Sequence, residues 1–279
     1  MIRGIITDID GVIVGDKIGY NTPNPHPDII KRIKDIHASG VPVVLCTGKP
    51  HYAIKNIIEA CRLDNPHVTD GGAIVIDPIT NTIIQKHRID PLLVTSLINS
   101  CLQSDMYIEI YTPDRYIIQR SQIRENLTPV HTHVLETPPT IVDDLVTESM
   151  KHEIIKLMPV AINTEDTIRL KTIYEPYQND LTLAMGVHPI ANPHQFGLIT
   201  KKGVSKKQSA IDATAKLDIP LNNYLGIGDS TSDWSFMQLC GYTATLANGS
   251  DELKKLVNFV GPNVDENGIL SVFDHFSLH

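Results

Sequence analysis

The stretch IRGIITDID, residues 2–10, decides the fold of this chain. Its apolar, mostly β-branched residues stop at Asp8 and Asp10, as a buried parallel strand does when its carboxyl end reaches solvent. In open α/β sheets, ligands bind outside the carboxyl ends of such strands. The stretch therefore predicts a buried strand of a parallel sheet whose charged end is the place for chemistry.

The segments that follow extend this strand into a βαβ unit. Residues 27–40, PDIIKRIKDIHASG, carry isoleucines at helical spacing and end in a glycine stop. Residues 41–48, VPVVLCTG, then read as a second buried strand. A helix between two buried strands is typical of a parallel sheet flanked by helices.

The order of predicted elements changes at about Thr82, where several strands follow one another, and the alternation of strands and helices returns after Pro189. We therefore predict an α/β fold: a Rossmann-like parallel sheet core with helices on both faces, plus one inserted α+β domain. The expected bounds are residues 1–82 and 187–279 for the core domain and 83–186 for the insertion.

Composition and charge exclude several classes of partner. The chain has 279 residues, 42% hydrophobic and 20% charged, with 32 acidic against 24 basic residues and a net charge of -8. This charge would repel a phosphate backbone, so no nucleic-acid partner is expected. No apolar run is long enough for a membrane span, and the amino terminus does not resemble a signal peptide, so a cytoplasmic protein with no membrane partner is expected. Four widely spaced cysteines predict neither a zinc site nor a disulfide framework, and no expectation for the oligomeric state follows.

Carboxylates lie at the ends of two predicted strands. Asp8 and Asp10 follow the first strand, and Gly11 lets the backbone come close. A second strand, LGIGD, ends in Asp229, and Asp233 follows four residues later where a helix starts. Like charges that converge in this way need a cation, and carboxylate and carbonyl oxygens suit Mg²⁺, which shares its shell with a phosphate. The sequence therefore predicts a Mg²⁺ site at this edge of the sheet.

Two further positions complete a candidate phosphoryl-binding site. The strand VPVVLCTG ends with the Thr47 hydroxyl and the Gly48 amide, and Lys206 at the start of a helix supplies a positive charge for a phosphoryl oxygen. Each feature alone is common in turns and on solvated helices. Their joint occurrence, in chain order at strand ends and helix starts, indicates a functional site.

These same residues resemble the motifs of the haloacid dehalogenase superfamily. The four motifs are DIDGV at 8–12, the threonine of LCTG, GVSKK at 203–207 and GDSTSD at 228–233. The insertion looks like the larger α/β cap of the Cof-type sugar phosphatases, and the carboxyl-terminal third is especially similar to that subgroup. The resemblance implies a Mg²⁺-dependent phosphatase that acts on a small sugar phosphate or a similar phosphorylated metabolite.

The resemblance also implies roles for individual residues. Asp8 would be the nucleophile that forms an aspartyl-phosphate, and Asp10 the acid and base. The metal would be held by the carboxylates of Asp8 and Asp229 and by the backbone carbonyl of Asp10, with Asp233 behind them.

Phosphate binding would fall to four residues: Gly11, Thr47, Gly48 and Lys206. Three positions depart from the family pattern: Val12, Ser232 and Gly71 stand where threonine, asparagine and asparagine are common.

Other features of the insertion are open to more than one interpretation. Arg115, Arg120 and Arg124 are candidates for holding a substrate carboxylate or second phosphate, although strand-surface arginines are more often solvated. His131 and His133 lack a partnered metal motif, so we expect exposed loop histidines rather than a zinc site.

Two alternatives to the phosphatase stay open. One is a phosphomutase that uses the same intermediate. The other is a non-catalytic regulatory protein that binds a phosphorylated ligand, which the three departures and a likeness to receiver domains would fit.

Overall fold

The computed structural model describes residues 1–187, 189–191 and 193–279. The chain divides into two compact units, which we call the core unit (Met1–Ile84 and Lys206–His279) and the inserted unit (Gln85–Ser205). The second junction therefore lies later than the expected 186/187. The reason is that the strand Gln195–Lys201 pairs antiparallel with two strands of the insertion instead of opening the core again.

The strands and helices of the described residues are as follows. The strands are β1 Gly4–Thr7, β2 Val43–Leu45, β3 His67–Thr69, β4 Ile74–Asp77, β5 Thr82–Lys86, β6 Tyr107–Tyr111, β7 Tyr116–Gln119, β8 Thr140–Val142, β9 Lys156–Ala161, β10 Leu181–Gly186, β11 Gln195–Lys201, β12 Tyr224–Ile227, β13 Tyr242–Leu246 and β14 Phe259–Gly261. The helices are α1 Pro27–Ala38, α2 Lys55–Cys61, α3 Pro91–Gln103, α4 Thr128–Leu135, α5 Leu145–Ser149, α6 Thr164–Tyr174, α7 Lys206–Ala215, α8 Thr231–Met237, α9 Asp251–Lys254 and α10 Ile269–His275. Short 3-10 turns span His51–Ala53, Asp70–Gly72, Arg120–Gln122, Glu175–Tyr177, Pro189–Ala191, Leu221–Asn223 and Val264–Glu266.

The core unit is built on a parallel sheet in the order β14-β13-β12-β1-β2. Every neighbouring pair in it is parallel. The chain order reverses between β1 and β12, and the carboxyl ends of strands at such a point form a crevice for ligands. Gly4 permits the close packing of these two strands, because a Cβ there would lie 2.3 Å from the ring of Tyr224. The predicted parallel core is confirmed.

Helices cover both faces of this sheet. Ile6 and Val44 pack with residues of α7 and α8 such as Ala210 and Phe236. Because side chains alternate along a strand, Ile5 and Val43 point to the other face. There α1 packs against α2 and α10. The amphipathic spacing of α1 predicted this arrangement from the sequence.

The inserted unit has a six-stranded sheet in the order β10-β11-β9-β6-β7-β8. Its pairs are antiparallel except for β7 with β8. One face packs on α3, α5 and α6 through a core that includes Leu97, Ile110 and Leu157. The predicted α+β insertion is therefore confirmed. Among the described residues, no helix is both long and apolar enough to cross a membrane.

The expectation of exposed loop histidines in the insertion is wrong for His131. Both histidines lie in α4, whose first turn contains Pro129. His131 lies on the inward side of this helix and is 5% exposed. Proline is accepted in the first turn of a helix because its missing N–H has no partner there anyway. Pro129 therefore marks the start of a helix and not a loop.

Candidate active site

Asp8 and Asp229 meet at the carboxyl ends of the two central strands. The backbone N–H of Asp8 donates to the carbonyl of Ile227 at 2.9 Å, which continues the pairing of β1 with β12 beyond the sheet. The Asp8 side chain is 7% exposed, and its Oδ1 accepts the N–H of Ile9 at 2.7 Å. The parallel pairing predicted from the sequence thus brings these two acids together.

Lys206 is the cation at the centre of the site. It starts α7, and its Nζ lies 2.7 Å from Oδ2 of Asp8 and 2.6 Å from Oδ1 of Asp233. Burial by itself would lower the pKa of Lys206, but the carboxylates of Asp233 and Asp8 raise that pKa well above its ordinary value. The charged form of Lys206 is therefore favoured beside the predicted nucleophile.

Asp233 supports the site from behind. Its Oδ2 accepts the N–H groups of Asp229 and Ser230 at 3.2 and 3.1 Å and the hydroxyl of Ser230 at 2.8 Å. This is a capping box at the start of α8. Burial alone would raise the pKa of Asp233, but Lys206 lowers it below its ordinary value. Both oxygens of Asp233 therefore accept hydrogen bonds, and Asp233 holds the backbone N–H groups of Asp229 and Ser230.

In their ionised forms, the carboxylates of the site outnumber the one ammonium group among them. Ligand atoms of Asp8, Asp229 and Asp233 all lie within 4.8 Å of one another, and we call these three residues with Lys206 the acidic cluster. Burial, followed by the charges of Asp233 and Asp8, raises the pKa of Asp229 well above its ordinary value. Burial likewise raises the pKa of Asp8 to about 7. One lysine does not balance three carboxylates at this distance, so the donor set fits a divalent cation with oxygen ligands.

Gly11 contributes through its missing side chain. It has a φ of +77°, and a Cβ there would lie 2.1 Å from Oδ2 of Asp229. Its N–H donates to the carbonyl of Val14 at 2.8 Å. Its amide therefore has a partner within the turn, and phosphate binding by Gly11 stays a prediction. The Gly11 carbonyl accepts from Nδ2 of Asn248 at 2.8 Å, a contact that sequence reasoning missed.

The end of β2 supplies the predicted threonine and an additional lysine. Thr47 is 1% exposed, and Gly48 follows it directly. Lys49 was not among the predicted site residues, yet it is 5% exposed, and its Nζ lies 2.8 Å from Oδ1 of Asp10. The signal available in the sequence was a lysine two residues after Thr47, at a strand end that already carried site residues.

The three departures from the family pattern leave these carboxylates in place. Val12 is fully buried, and Ser232 shares a hydrogen bond with Ser230 at 2.8 Å between their hydroxyls. Gly71 has a φ of 66°, and its N–H donates to the carbonyl of Thr47 at 3.0 Å. Gly71 therefore acts on the site through the backbone of Thr47.

The structure does not bring the predicted arginines of the insertion together. Arg115 and Arg120 lie at opposite ends of β7. Each arginine has an aspartate partner in its own unit: Arg115 with Asp114, Arg120 with Asp143 and Arg124 with Asp105. Such pairs are the ordinary state of surface arginines. A contact of these arginines with substrate stays a prediction.

Comparisons with known proteins agree with this geometry. Residues 5–273 match the model of the haloacid dehalogenase-like hydrolases. A putative phosphatase of Streptococcus pyogenes is 24% identical over 277 residues, which cover 96% of each chain. The phosphatase YwpJ of Bacillus subtilis is 21% identical over 295 residues, with 97% of this chain and 98% of the relative covered. Among solved structures, the HAD subclass IIB sugar phosphatase BT4131 matches with a TM-score of 0.81 and 19% identity. The match covers 99% of this chain and 100% of the BT4131 chain. The chain therefore belongs to the haloacid dehalogenase-like hydrolase family, as an enzyme of the Cof-type phosphatases that its motifs resemble.

Proposed function

We propose that this enzyme hydrolyses the phosphate monoester of a small sugar or similar metabolite, with Mg²⁺, through an aspartyl-phosphate on Asp8. The observation that carries the proposal is the convergence of Asp8, Lys206 and Asp229 at the ends of β1 and β12. The printed description of BT4131 as a sugar phosphatase supports the substrate class. The net charge of -8 favours a small metabolite over a nucleic acid as substrate.

In the first step, a carboxylate oxygen of Asp8 attacks phosphorus, and the ester P–O bond breaks. The leaving alkoxide takes a proton from the Asp10 carboxyl, whose side chain is 22% exposed and therefore accessible. The Lys206 ammonium holds a phosphoryl oxygen, and the Thr47 hydroxyl and the Gly48 amide are the further donors we propose. Asp8 is then an aspartyl-phosphate and Asp10 a carboxylate.

In the second step, water attacks the same phosphorus atom and gives a proton to Asp10. The bond between phosphorus and the Asp8 oxygen breaks, which frees inorganic phosphate and restores both carboxyl groups to their starting states. A carboxyl two residues after the nucleophile thus serves both steps.

Mg²⁺ would be held by Asp8, Asp229 and the backbone carbonyl of Asp10, and it would neutralise charge on the incoming phosphate. Asn248 and Ser230 hold the loops of these ligands, through the Gly11 carbonyl and the Asp233 carboxylate respectively. Gly11 keeps room for the Asp229 carboxylate, because any Cβ at that position would overlap it. We further propose that the inserted unit is the cap that selects the leaving group.

Phosphate release from a panel of sugar phosphates and an aryl phosphate, with and without Mg²⁺, tests the proposal. Metal-dependent release that disappears in Asp8→Asn is the expected result. An isomerised sugar phosphate without free phosphate would instead favour a phosphomutase. Binding of a sugar phosphate with neither product would favour a regulatory protein.

A further inference from the structure

Lys49 is a buried lysine whose ammonium group faces Asp10. The residue is 5% exposed, and its Nζ lies 2.8 Å from Oδ1 of Asp10. Removing an ammonium group from water is costly unless an opposite charge compensates it. The ionised Asp10, the form that accepts a proton from water in the second step, provides this compensation, so the two groups hold each other in position.

The backbone of Lys49 is itself held from two sides. Its N–H donates to Oγ1 of Thr47 at 3.1 Å, and its carbonyl accepts the N–H of Asp70 at 2.9 Å. Asp70 and Gly71 have φ angles of 53° and 66°, so the turn that bonds the Lys49 carbonyl has a left-handed backbone conformation. This turn also bonds the carbonyl of Thr47 through the N–H of Gly71, at 3.0 Å. The starting point of the Lys49 side chain is therefore fixed relative to the site.

The two lysines of the site serve different carboxylates. Lys206 contacts Asp8 and Asp233. Lys49 contacts Asp10. Without Lys49, the Asp10 carboxylate would lose this attraction, while the nearby carboxylate of Asp8 would still repel it. Lys49 thus supplies an attraction that favours the observed orientation of Asp10.

We infer that Lys49 is a positioning residue for Asp10, which holds the acid–base carboxyl in the orientation that proton transfer requires. The inference rests on the proposed function, because it assigns to Lys49 an effect on the acid–base step of that reaction. General acid–base catalysis contributes about 10²–10⁴-fold to rates. We expect that loss of Lys49 lowers the rate of the acid–base steps about 10- to 100-fold.

A double-mutant cycle with Lys49→Met and Asp10→Asn tests whether Lys49 acts through Asp10. Residues that act as one unit give non-additive losses. We expect Lys49→Met to lower kcat on a sugar phosphate about 10- to 100-fold with little change in KM. In the Asp10→Asn background, the same change should have no further effect. Lys49→Arg should restore most of kcat, because it keeps the charge.

The leaving group offers a second readout that a merely structural role would not change. With p-nitrophenyl phosphate, the leaving phenolate needs little protonation, so formation of the phosphoenzyme should be nearly unaffected in Lys49→Met. A burst of nitrophenol followed by slow turnover is therefore expected. The matched control is Lys55→Met, since Lys55 is an exposed lysine that pairs with Glu59. It should leave both the burst and the turnover at wild-type values.

Several outcomes would overturn the inference. Multiplicative losses in the double mutant would mean that Lys49 acts independently of Asp10. A changed Mg²⁺ requirement in Lys49→Met, measured by calorimetric titration, would mean that it acts on the metal ligands instead. Lys49→Gln replaces the Met variant if the latter does not fold. Full activity of Asp10→Asn alone would refute the proposed function itself, which distinguishes that failure from failure of the Lys49 inference.

Discussion

Two regions of the molecule bury charged side chains, and they do so with opposite effects on carboxyl groups. In the acidic cluster of the core unit, burial raises the pKa values of Asp8 and Asp229. In the inserted unit, Glu109 is fully buried, yet its pKa is lowered. Burial alone would raise the pKa of Glu109 as well, but its hydrogen-bond donors outweigh burial. The acidic cluster lacks enough hydrogen-bond donors and positive charge to stabilise all of its carboxylates. The neighbours of Glu109, in contrast, stabilise its ionised form without any ligand.

The donors around Glu109 show how this satisfaction is achieved. We call Glu109, Tyr107, Tyr111 and His131 the Glu109 cluster. Oε1 of Glu109 accepts the hydroxyl of Tyr107 at 2.8 Å and lies 2.8 Å from Nδ1 of His131. Oε2 accepts the hydroxyl of Tyr111 at 2.6 Å. Charge-assisted bonds to both oxygens stabilise the ionised form. The cluster therefore ties α4, through His131, to the sheet.

The largest effect is expected for Asp8, the proposed nucleophile in the acidic cluster. Asp8→Asn removes the attacking carboxylate, so phosphate release should fall by at least about 10⁴-fold. The melting temperature of the metal-free protein should not fall, because burial already favours the uncharged form of this side chain over its charged form. Phosphate release and differential scanning fluorimetry measure the two quantities. Retained turnover would contradict the assignment of Asp8.

In the Glu109 cluster, the large effect should appear in stability. Glu109→Ala leaves His131 and two tyrosine hydroxyls without their acceptor, and breaking a buried pair costs about 3–5 kcal/mol in the free energy of unfolding. Urea denaturation measures this loss. Asp143→Ala is the matched control in the same unit, since it removes an exposed carboxylate paired with Arg120. Equal stability of the two variants would remove the contrast between the clusters.

Mg²⁺ should stabilise the acidic cluster, because the cation compensates the charge that Lys206 leaves unbalanced. At a concentration of 100 times Kd, a ligand that binds only the folded state adds about 2.7 kcal/mol to the free energy of unfolding. Melting curves in MgCl₂ and in EDTA measure the effect. Asp143→Ala should keep the full increase, whereas Asp229→Asn should lose most of it. An increase retained in Asp229→Asn would argue against the ligand set.

The smallest effect is expected in the pH dependence of stability without metal. The pKa of Asp8 is raised from 3.8 to about 7 in the folded state, so the fold favours its protonated form. This contribution is complete below the unfolded pKa and disappears as the pH rises through about 7. Lys206 offsets part of the effect of burial, which keeps the change modest. Urea denaturation in EDTA should show stability falling over this range, with a flatter profile for Asp8→Asn. Identical pH profiles of stability for the wild type and Asp8→Asn would refute the contribution of Asp8 to the pH dependence.

The sequence predicted the core of the site because that core follows from strand order. Asp8, Asp10 and Asp229 come directly after buried strands, and the carboxyl ends of parallel strands meet at one edge. Lys206 could be predicted from its place at a helix start. The pairing of β11 could not be predicted from alternation alone, because an antiparallel strand and a buried parallel one share short apolar runs. The second junction between the insertion and the core was therefore predicted before β11 instead of after it.

Contacts between distant side chains lay outside what pattern reasoning reaches. Asn248 donates a hydrogen bond to Gly11, which lies 237 positions away in the chain. Lys49 contacts Asp10 because the loops after β1 and β2 lie next to each other in the folded chain. Glu109 lies in β6 and is fully buried. It is buried because a helix that pattern reasoning missed, α4, covers that face of the sheet.

The sequence by itself determined the α/β class, the order of the motifs and which carboxylates stand at the carboxyl ends of strands, because these depend on local periodicity and on parallel pairing. Only the tertiary structure decided which buried charges are paired and which are left in excess. That balance depends on distances of a few ångströms between segments far apart in the chain, and electrostatic energies in a poorly solvated interior change steeply over such distances.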